Sequence, residues 1–255
     1  MKVFYLLAFL LLIGCGKSND EKKKIVEITP EQIVNLLEKQ SFHCESLDGK
    51  ECPDALARLF ILNPKAPHLS GLCSGFLTRS NRLITNAHCV STQEECDSTY
   101  AIIHIQGDYR VARCQEVLKL FEDFKPLEEK SLDVAVLELD RHFKEIKFFK
   151  SSTKPLRPGE SATAWVVDHL NLFEARITEL ECVLKEKSHS YVFKNCAAIG
   201  GNSGAPILNE SGYVTSILWG STTDDFIDEL FPLNSRRLLE DWTYATDVSL
   251  VRSAF

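Results

Sequence analysis

Residues 200–206 read Gly-Gly-Asn-Ser-Gly-Ala-Pro, with three glycines and a proline crowded around Ser203. Glycine reaches backbone angles that other residues avoid and lets a second backbone or a ligand approach closely. One reading is therefore a hydroxyl held in the open, with backbone N–H groups facing the same way. That arrangement serves acyl transfer, where a nucleophile sits beside donors for an oxyanion. The other reading is a surface turn, since Gly, Asn, Ser and Pro are the ordinary turn residues. The rest of the chain decides between them.

The chain has 255 residues, 44% hydrophobic and 25% charged, enough to bury a core as one large domain or two small packed ones. Its net charge is −7 and its charges are dispersed, which argues against a nucleic-acid partner. The dense run Glu21-Lys22-Lys23-Lys24 reads as part of a solvated tether over 16–28.

At the start, Lys2 precedes an apolar run from Val3 to Ile13, too short for a stable membrane span and patterned as a signal peptide. The run ends in Leu12-Ile13-Gly14-Cys15, which resembles a bacterial lipobox. On that reading residues 1–14 are removed and Cys15 is lipidated, anchoring the chain to a bacterial membrane; in a host with two membranes, sorting to the outer one follows. An ordinary signal peptide with a chance cysteine is the alternative.

Setting Cys15 aside leaves eight of the nine cysteines, an even number that in an exported chain reads as disulfides. Zinc binding would need tight Cys-x-x-Cys or Cys/His pairs, which the sequence lacks, so no metal or other cofactor is expected. Connectivity does not follow from the sequence; nearest-neighbour pairing gives Cys44–Cys52, Cys73–Cys89, Cys96–Cys114 and Cys182–Cys196.

Thr29-Pro30-Glu31 looks like a helix start, with Thr as N-cap and Pro at the first helical position. Ile33, Leu36 and Leu37 give it an apolar stripe, and it is expected to end near Gln40. Short apolar runs follow. Gly75–Thr78, Arg82–Asn86, Tyr100–Ile105 and Val134–Leu139 are rich in strand-forming residues, and Leu56–Leu62 is a further apolar run. After Lys154-Pro155-Leu156-Arg157-Pro158-Gly159 comes a second set: Ser161–Val167, Phe173–Leu180, Tyr191–Cys196, Ala205–Leu208, Val214–Trp219 and Thr243–Val248. Two sets of short strands around a Pro-rich linker point to two β-barrels. Residues 223–241 break the pattern; Ile227, Leu230, Phe231, Leu238, Leu239 and Trp242 read as a helical or irregular insertion.

Three stretches then line up: Leu83-Ile84-Thr85-Asn86-Ala87-His88-Cys89, Ser131-Leu132-Asp133-Val134-Ala135-Val136-Leu137, and the segment around Ser203. Singly, each has an ordinary explanation as a loop or core histidine, a turn aspartate or a turn serine. In the order His, Asp, Ser they resemble the chymotrypsin-like (trypsin-like) serine proteases. "TNAHC" matches that family's histidine motif, "DVAVL" its aspartate motif and "GNSGAP" its serine motif. Cys73 lies sixteen residues before Cys89, like the cysteines of the family's His-loop disulfide. Leu218-Trp219-Gly220 falls where the family has its substrate-pairing strand, and Tyr244–Val248 resembles its last strand before a C-terminal helix.

The resemblance covers about residues 55 to 255 and implies an all-β fold of two packed six-stranded antiparallel β-barrels (chymotrypsin-like). An N-terminal helix and a short C-terminal helix would complete it. The expected layout is a signal peptide over 1–14, a tether and helix over 15–54, an N-barrel over about 55–150 and a C-barrel over about 151–255. The resemblance implies an endopeptidase with His88, Asp133 and Ser203 as triad and the N–H groups of Gly201 and Ser203 as oxyanion hole. It places Ala197 and Ala198 in the specificity pocket and Leu218, Trp219 and Gly220 along the substrate backbone.

Departures refine this. Asn202 stands where digestive and clotting enzymes carry an Asp that pairs with a new N-terminal amine, so activity should not depend on such a pairing. The chain looks more like the bacterial branch of the family. Ala205 replaces a glycine, and Leu218 replaces a serine that supports the catalytic Asp. Ala197 stands at the pocket floor, followed by Ala198 and Ile199, with no acidic residue there, so cleavage after Lys or Arg is not expected; Ile217 disfavours Glu, and a small or medium apolar side chain at the cut is expected. His43, His68, His104, His142, His169 and His189 read as surface or packing residues, and Trp165 and Trp242 as core. The partner is a protein or peptide substrate, and a monomer is favoured. A protease-fold binding protein without activity is the rival reading, and a disulfide-stapled adhesin a third.

Overall fold

The structure is a computed structural model. It describes residues 30–38, 41–47, 49, 51–62, 71–123, 132–144, 146–169, 174–188, 190–221 and 242–255. The signal segment, Cys15, the tether over 16–28 and the 223–241 insertion lie outside the described residues. His68 and His189 do too.

Helix α1 (Pro30–Leu37) is followed by strand β1 (Ser41–Glu45). Next come β2 (Leu56–Ile61), β3 (Gly71–Arg79), β4 (Arg82–Thr85), helix α2 (Gln93–Asp97), β5 (Thr99–Ile105), β6 (Asp108–Glu122) and β7 (Asp133–Leu139). These six strands close into a barrel in the order β2-β3-β4-β7-β6-β5. Strands β8 (Ser161–His169), β9 (Glu174–Lys187), β10 (Tyr191–Lys194), β11 (Pro206–Leu208), β12 (Val214–Ser221) and β13 (Trp242–Asp247) form the second sheet. Its order is β9-β10-β13-β12-β11-β8, closed by β8–β9 pairing. The fold is all-β, two six-stranded antiparallel barrels, as the sequence implies.

Burial explains the strand signals. β7 is buried on both faces, Asp133 through Leu137, and therefore reads as a continuous apolar run. β9 has one wet face and alternates instead. One core cluster joins Leu59, Phe76, Leu83 and Leu137 of the first barrel to Trp165, Val167 and Ile177 of the second. A separate cluster fills the second barrel around Ala164, Leu184, Phe193 and Leu218.

Three details differ from expectation. The segment after α1 is not all tether: β1 adds to β9 as a seventh, parallel strand. Local ties hold it there, with Cys44 bonded to Cys52 and Glu179 accepting from the Ser46 hydroxyl and the Leu47 N–H. The expected C-terminal helix is two 3₁₀ turns, Val248–Leu250 and Arg252–Ala254. Val248, Val251 and Ala254 are all buried, and that spacing of three suits the 3₁₀ repeat rather than the α repeat. Trp242 belongs to β13 and is only half-buried, with the Lys185 ammonium 3.8 Å from its ring centroid, whereas Trp165 is core.

All four disulfides have the expected pairing: Cys44–Cys52, Cys73–Cys89, Cys96–Cys114 and Cys182–Cys196. They indicate an exported or extracytoplasmic protein.

Candidate active site

His88 and Asp133 meet because β4 and β7 are antiparallel neighbours, with Thr85 opposite Ala135. The end of β4 therefore lies beside the start of β7. Asp133 is fully buried, and its carboxylate accepts from His88 twice, from the backbone N–H at 3.0 Å and from Nδ1 at 2.6 Å. A carboxylate only accepts, so Nδ1 carries the proton and the imidazole presents Nε2 as a lone pair. The imidazole is 41% exposed, open to a ligand on its far side. Asn86 Nδ2 donates to the Asp133 carbonyl at 2.6 Å and pins the start of β7 from the histidine segment itself.

Ser203 sits on a loop of the second barrel that leans on β3 of the first. The Ser74 N–H donates to the Ser203 carbonyl at 2.7 Å, and the Ser74 hydroxyl donates to the Gly201 carbonyl at 3.0 Å. The Ser74 carbonyl accepts from the Thr85 hydroxyl at 2.7 Å. Gly204 explains one glycine of the motif: it has φ +92°, and a Cβ there would stand 2.1 Å from the Ser74 carbonyl oxygen. Gly201 takes φ +90°, again the left-handed side that glycine tolerates.

Asn202 fastens the loop from behind. It is fully buried; its Oδ1 accepts from the Ile199 N–H at 2.8 Å. Its Nδ2 donates to the Val167 carbonyl at 3.2 Å and the Asp168 carboxylate at 3.3 Å, and Thr178 Oγ1 donates to the other Asp168 oxygen. The N–H groups of Asn202, Gly204 and Ala205 are taken by the Ile199, Leu218 and Asn202 carbonyls. Among the described residues the Ser203 N–H and hydroxyl make no hydrogen bond, so the His88–Ser203 link is open in this structure. Unliganded sites often leave this contact loose.

Leu218 is buried, and both its backbone groups bond the loop, to Gly204 and Ala205. Trp219 is buried and stacked on Tyr244, with centroids 5.3 Å apart; Gly220 is half-buried. Ala197 is exposed, Ala198 fully buried and Ile199 half exposed. Sequence reasoning missed Ser74, which holds the Ser203 loop, Thr85, which bonds Ser74, and Asn86, which holds the start of β7; the signals available are that Ser74 follows Cys73 and that Thr85 and Asn86 lie within three residues of His88. Cys73, His88 and Cys89 group closely enough for a metal, but both sulfurs are spent in a disulfide. His104 is buried on the Pro53 carbonyl and His142 pairs with Ser80, packing and surface roles as expected; His43 is exposed.

Two closed β-barrels, with a histidine–aspartate pair on one and a glycine-flanked serine on the other, define a protein of the chymotrypsin fold, whose chemistry is that of serine-protease-type hydrolases. The match is specific at family level: the model of the trypsin-like peptidase domain matches residues 73–217, more than half of the chain, and the chain belongs to that family. Among curated proteins none matches. Solved structures are similar at fold level. The serine endoprotease of Yersinia pestis is 17% identical with a TM-score of 0.52; the match covers 78% of this chain and 60% of that one. The active form of the Rv3671c protease of M. tuberculosis is 14% identical with a TM-score of 0.53, covering 94% and 92%. The scabies mite inactivated protease paralogue S-D1 is 12% identical with a TM-score of 0.54, covering 75% and 86%.

Proposed function

We propose that the chain is an exported, lipid-anchored serine endopeptidase, with residues 55–255 as the peptidase unit and Cys15 as the anchor on the outer membrane or facing the periplasm. The observation that carries the reading is the buried Asp133 carboxylate on His88 Nδ1 at 2.6 Å, with the Ser203 loop bonded to the strand beside them. Ser203 Oγ attacks the scissile carbonyl while His88 Nε2 takes its proton; the C–N bond breaks as the same proton passes to the leaving amine. Water then cleaves the acyl-enzyme by the reverse roles. Asp133 holds the tautomer and stabilises the imidazolium, and the N–H groups of Gly201 and Ser203 receive the oxyanion. The exposed Ala197 and the half-buried Gly220 support a pocket for a small or medium apolar side chain, with the buried Ala198, Leu218 and Trp219 as its backing. The oxidising compartment implied by four disulfides supports export.

A second reading is a binding protein of the same fold. One observation favours it: a solved structure of similar fold is described as an inactivated protease. A fluorophosphonate probe on residues 25–255, made in an oxidising compartment, separates the two. Labelling of wild type but not of Ser203→Ala establishes the nucleophile. No labelling of folded wild type favours the binding protein or a latent enzyme that needs an activator.

A further inference from the structure

The geometry points to Ser74 as a positioning residue that sets the oxyanion donors from the opposite barrel. This rests on the serine-peptidase reading of the site. Ser74 is 1% exposed and lies on β3, so its hydroxyl has no solvent to satisfy it. It spends that hydroxyl on the Gly201 carbonyl and its N–H on the Ser203 carbonyl. These two carbonyls belong to the two residues whose N–H groups would hold the oxyanion. One buried residue thus grips both donor residues on either side of Asn202.

The need for such a grip follows from the sequence. Gly200 and Gly201 are adjacent, and a glycine pair rotates its peptide planes at little steric cost. The N–H of Gly201 is aimed by the torsions around it, and Gly201 sits at φ +90°. Fixing its carbonyl fixes the next peptide plane and limits those torsions. Asn202 restrains the same plane through its N–H to the Ile199 carbonyl at 3.1 Å. The Asn202 bond belongs to the loop's own turn and the Ser74 bond comes from the other barrel, so the same peptide plane is held from within the loop and from across the cleft. Ser74 also accepts from Thr85, three residues before His88, and follows Cys73, which is bonded to Cys89. Donor loop and base therefore share one reference point.

Removing the hydroxyl is expected to cost turnover and not ground-state binding. With p-nitrophenyl acetate as the acyl donor, Ser74→Ala should lower kcat about tenfold, the scale of one hydrogen bond, with KM within about twofold. Fluorophosphonate labelling should slow by a similar factor. Ser74→Thr keeps the hydroxyl and should recover most of the rate; if its extra methyl prevents folding, the kcat-against-KM split of Ser74→Ala decides alone. Thermal unfolding of each variant confirms that it is folded at the assay temperature. Wild-type kcat in Ser74→Ala overturns the proposal. So does a loss shared between kcat and KM that Ser74→Thr fails to restore, since that marks a general packing defect. Failure of wild type itself to label refutes the peptidase reading, and this assignment falls with it.

Discussion

Asn202→Asp asks whether the Ser203 loop is held by an amide in a place where the digestive enzymes use a carboxylate. Asn202 is fully buried, and its Nδ2 faces two acceptors, the Val167 carbonyl at 3.2 Å and an Asp168 carboxylate oxygen at 3.3 Å. A carboxylate in that place donates nothing and adds a second negative charge. Two unit charges about 3.3 Å apart repel by about 5 kcal/mol at an effective dielectric constant of about 20, and water at the half-buried Asp168 brings this to about 2–4 kcal/mol. Two lost hydrogen bonds add about 1 kcal/mol each. The total is comparable to the lower end of a domain's whole stability, about 5 kcal/mol. The introduced carboxyl relieves the repulsion by keeping its proton, so its folded pKa is raised. A raised folded pKa gives stability that is complete below the ordinary carboxylate range and lost as pH rises through the folded value. The variant is therefore weakest at alkaline pH, where an imidazole base works. Thermal unfolding at pH 5 and pH 8 should show a deficit against wild type that grows with pH. Fluorophosphonate labelling at pH 8 should fall by about 100-fold as the loop donors are lost. A variant with wild-type melting and labelling at pH 8 would refute this account of the loop.

Three further outcomes follow from the same contacts. Replacing Cys73 and Cys89 together by Ala opens a disulfide spanning sixteen residues and should cost about 3 kcal/mol in denaturant unfolding, with labelling of Ser203 reduced further than the stability loss alone explains. Gly204→Ala drives a Cβ to 2.1 Å from the Ser74 carbonyl oxygen at a φ of +92°, so the variant should fail to give soluble folded protein, read by expression and circular dichroism. Burial pushes the Asp247 carboxyl up, but hydrogen bonds from Lys187 and Ser249 together outweigh it and hold the group below the usual carboxylate range. Its contribution is present above the ordinary carboxylate pKa of about 4 and is lost as pH falls below that, so the melting gap between wild type and Asp247→Asn should close on acidification from about pH 5 to pH 2.

The features most legible in the sequence are those with a local signature. Strands buried on both faces, such as β7, announce themselves as apolar runs. The histidine, aspartate and serine segments are legible because each carries a short motif, and their order adds what each lacks alone. β6 hides because Asp108 to Glu122 mixes Arg, Lys and Glu into a strand whose outer half is exposed, leaving no clean alternation. α2 hides because it is only five residues long; its real signal is the capping box, with Thr92 and Glu95 exchanging side-chain bonds to each other's backbone. β1 hides because its stability is borrowed from β9 and a disulfide rather than from its own five residues. The grip of Ser74 on the Ser203 loop spans more than a hundred residues of chain and has no local pattern at all.

That non-local part carries mechanical weight, because the proposed triad is divided between the barrels, and a misplacement of about 1 Å costs about 100-fold in rate. The chain crosses between them repeatedly outside the site. Leu37 of α1 packs with Phe60, Tyr100 and Ile102 of the first barrel, while β1, a few residues on, is a strand of the second. The Cys44–Cys52 bond then ties that strand to the segment entering β2. At the other end, β13 leaves the second barrel and Phe255 returns to the first, 6.1 Å from the Phe76 ring, with its carbonyl accepting from Arg79. The shared core of Phe76, Leu137, Trp165 and Ile177 fills the space between these crossings. In such a frame the barrels are tied together outside the site, by α1 and β1 and by the last described residues, while Asn202 and Ser74 fix the local orientation of the Ser203 loop from opposite sides of the cleft.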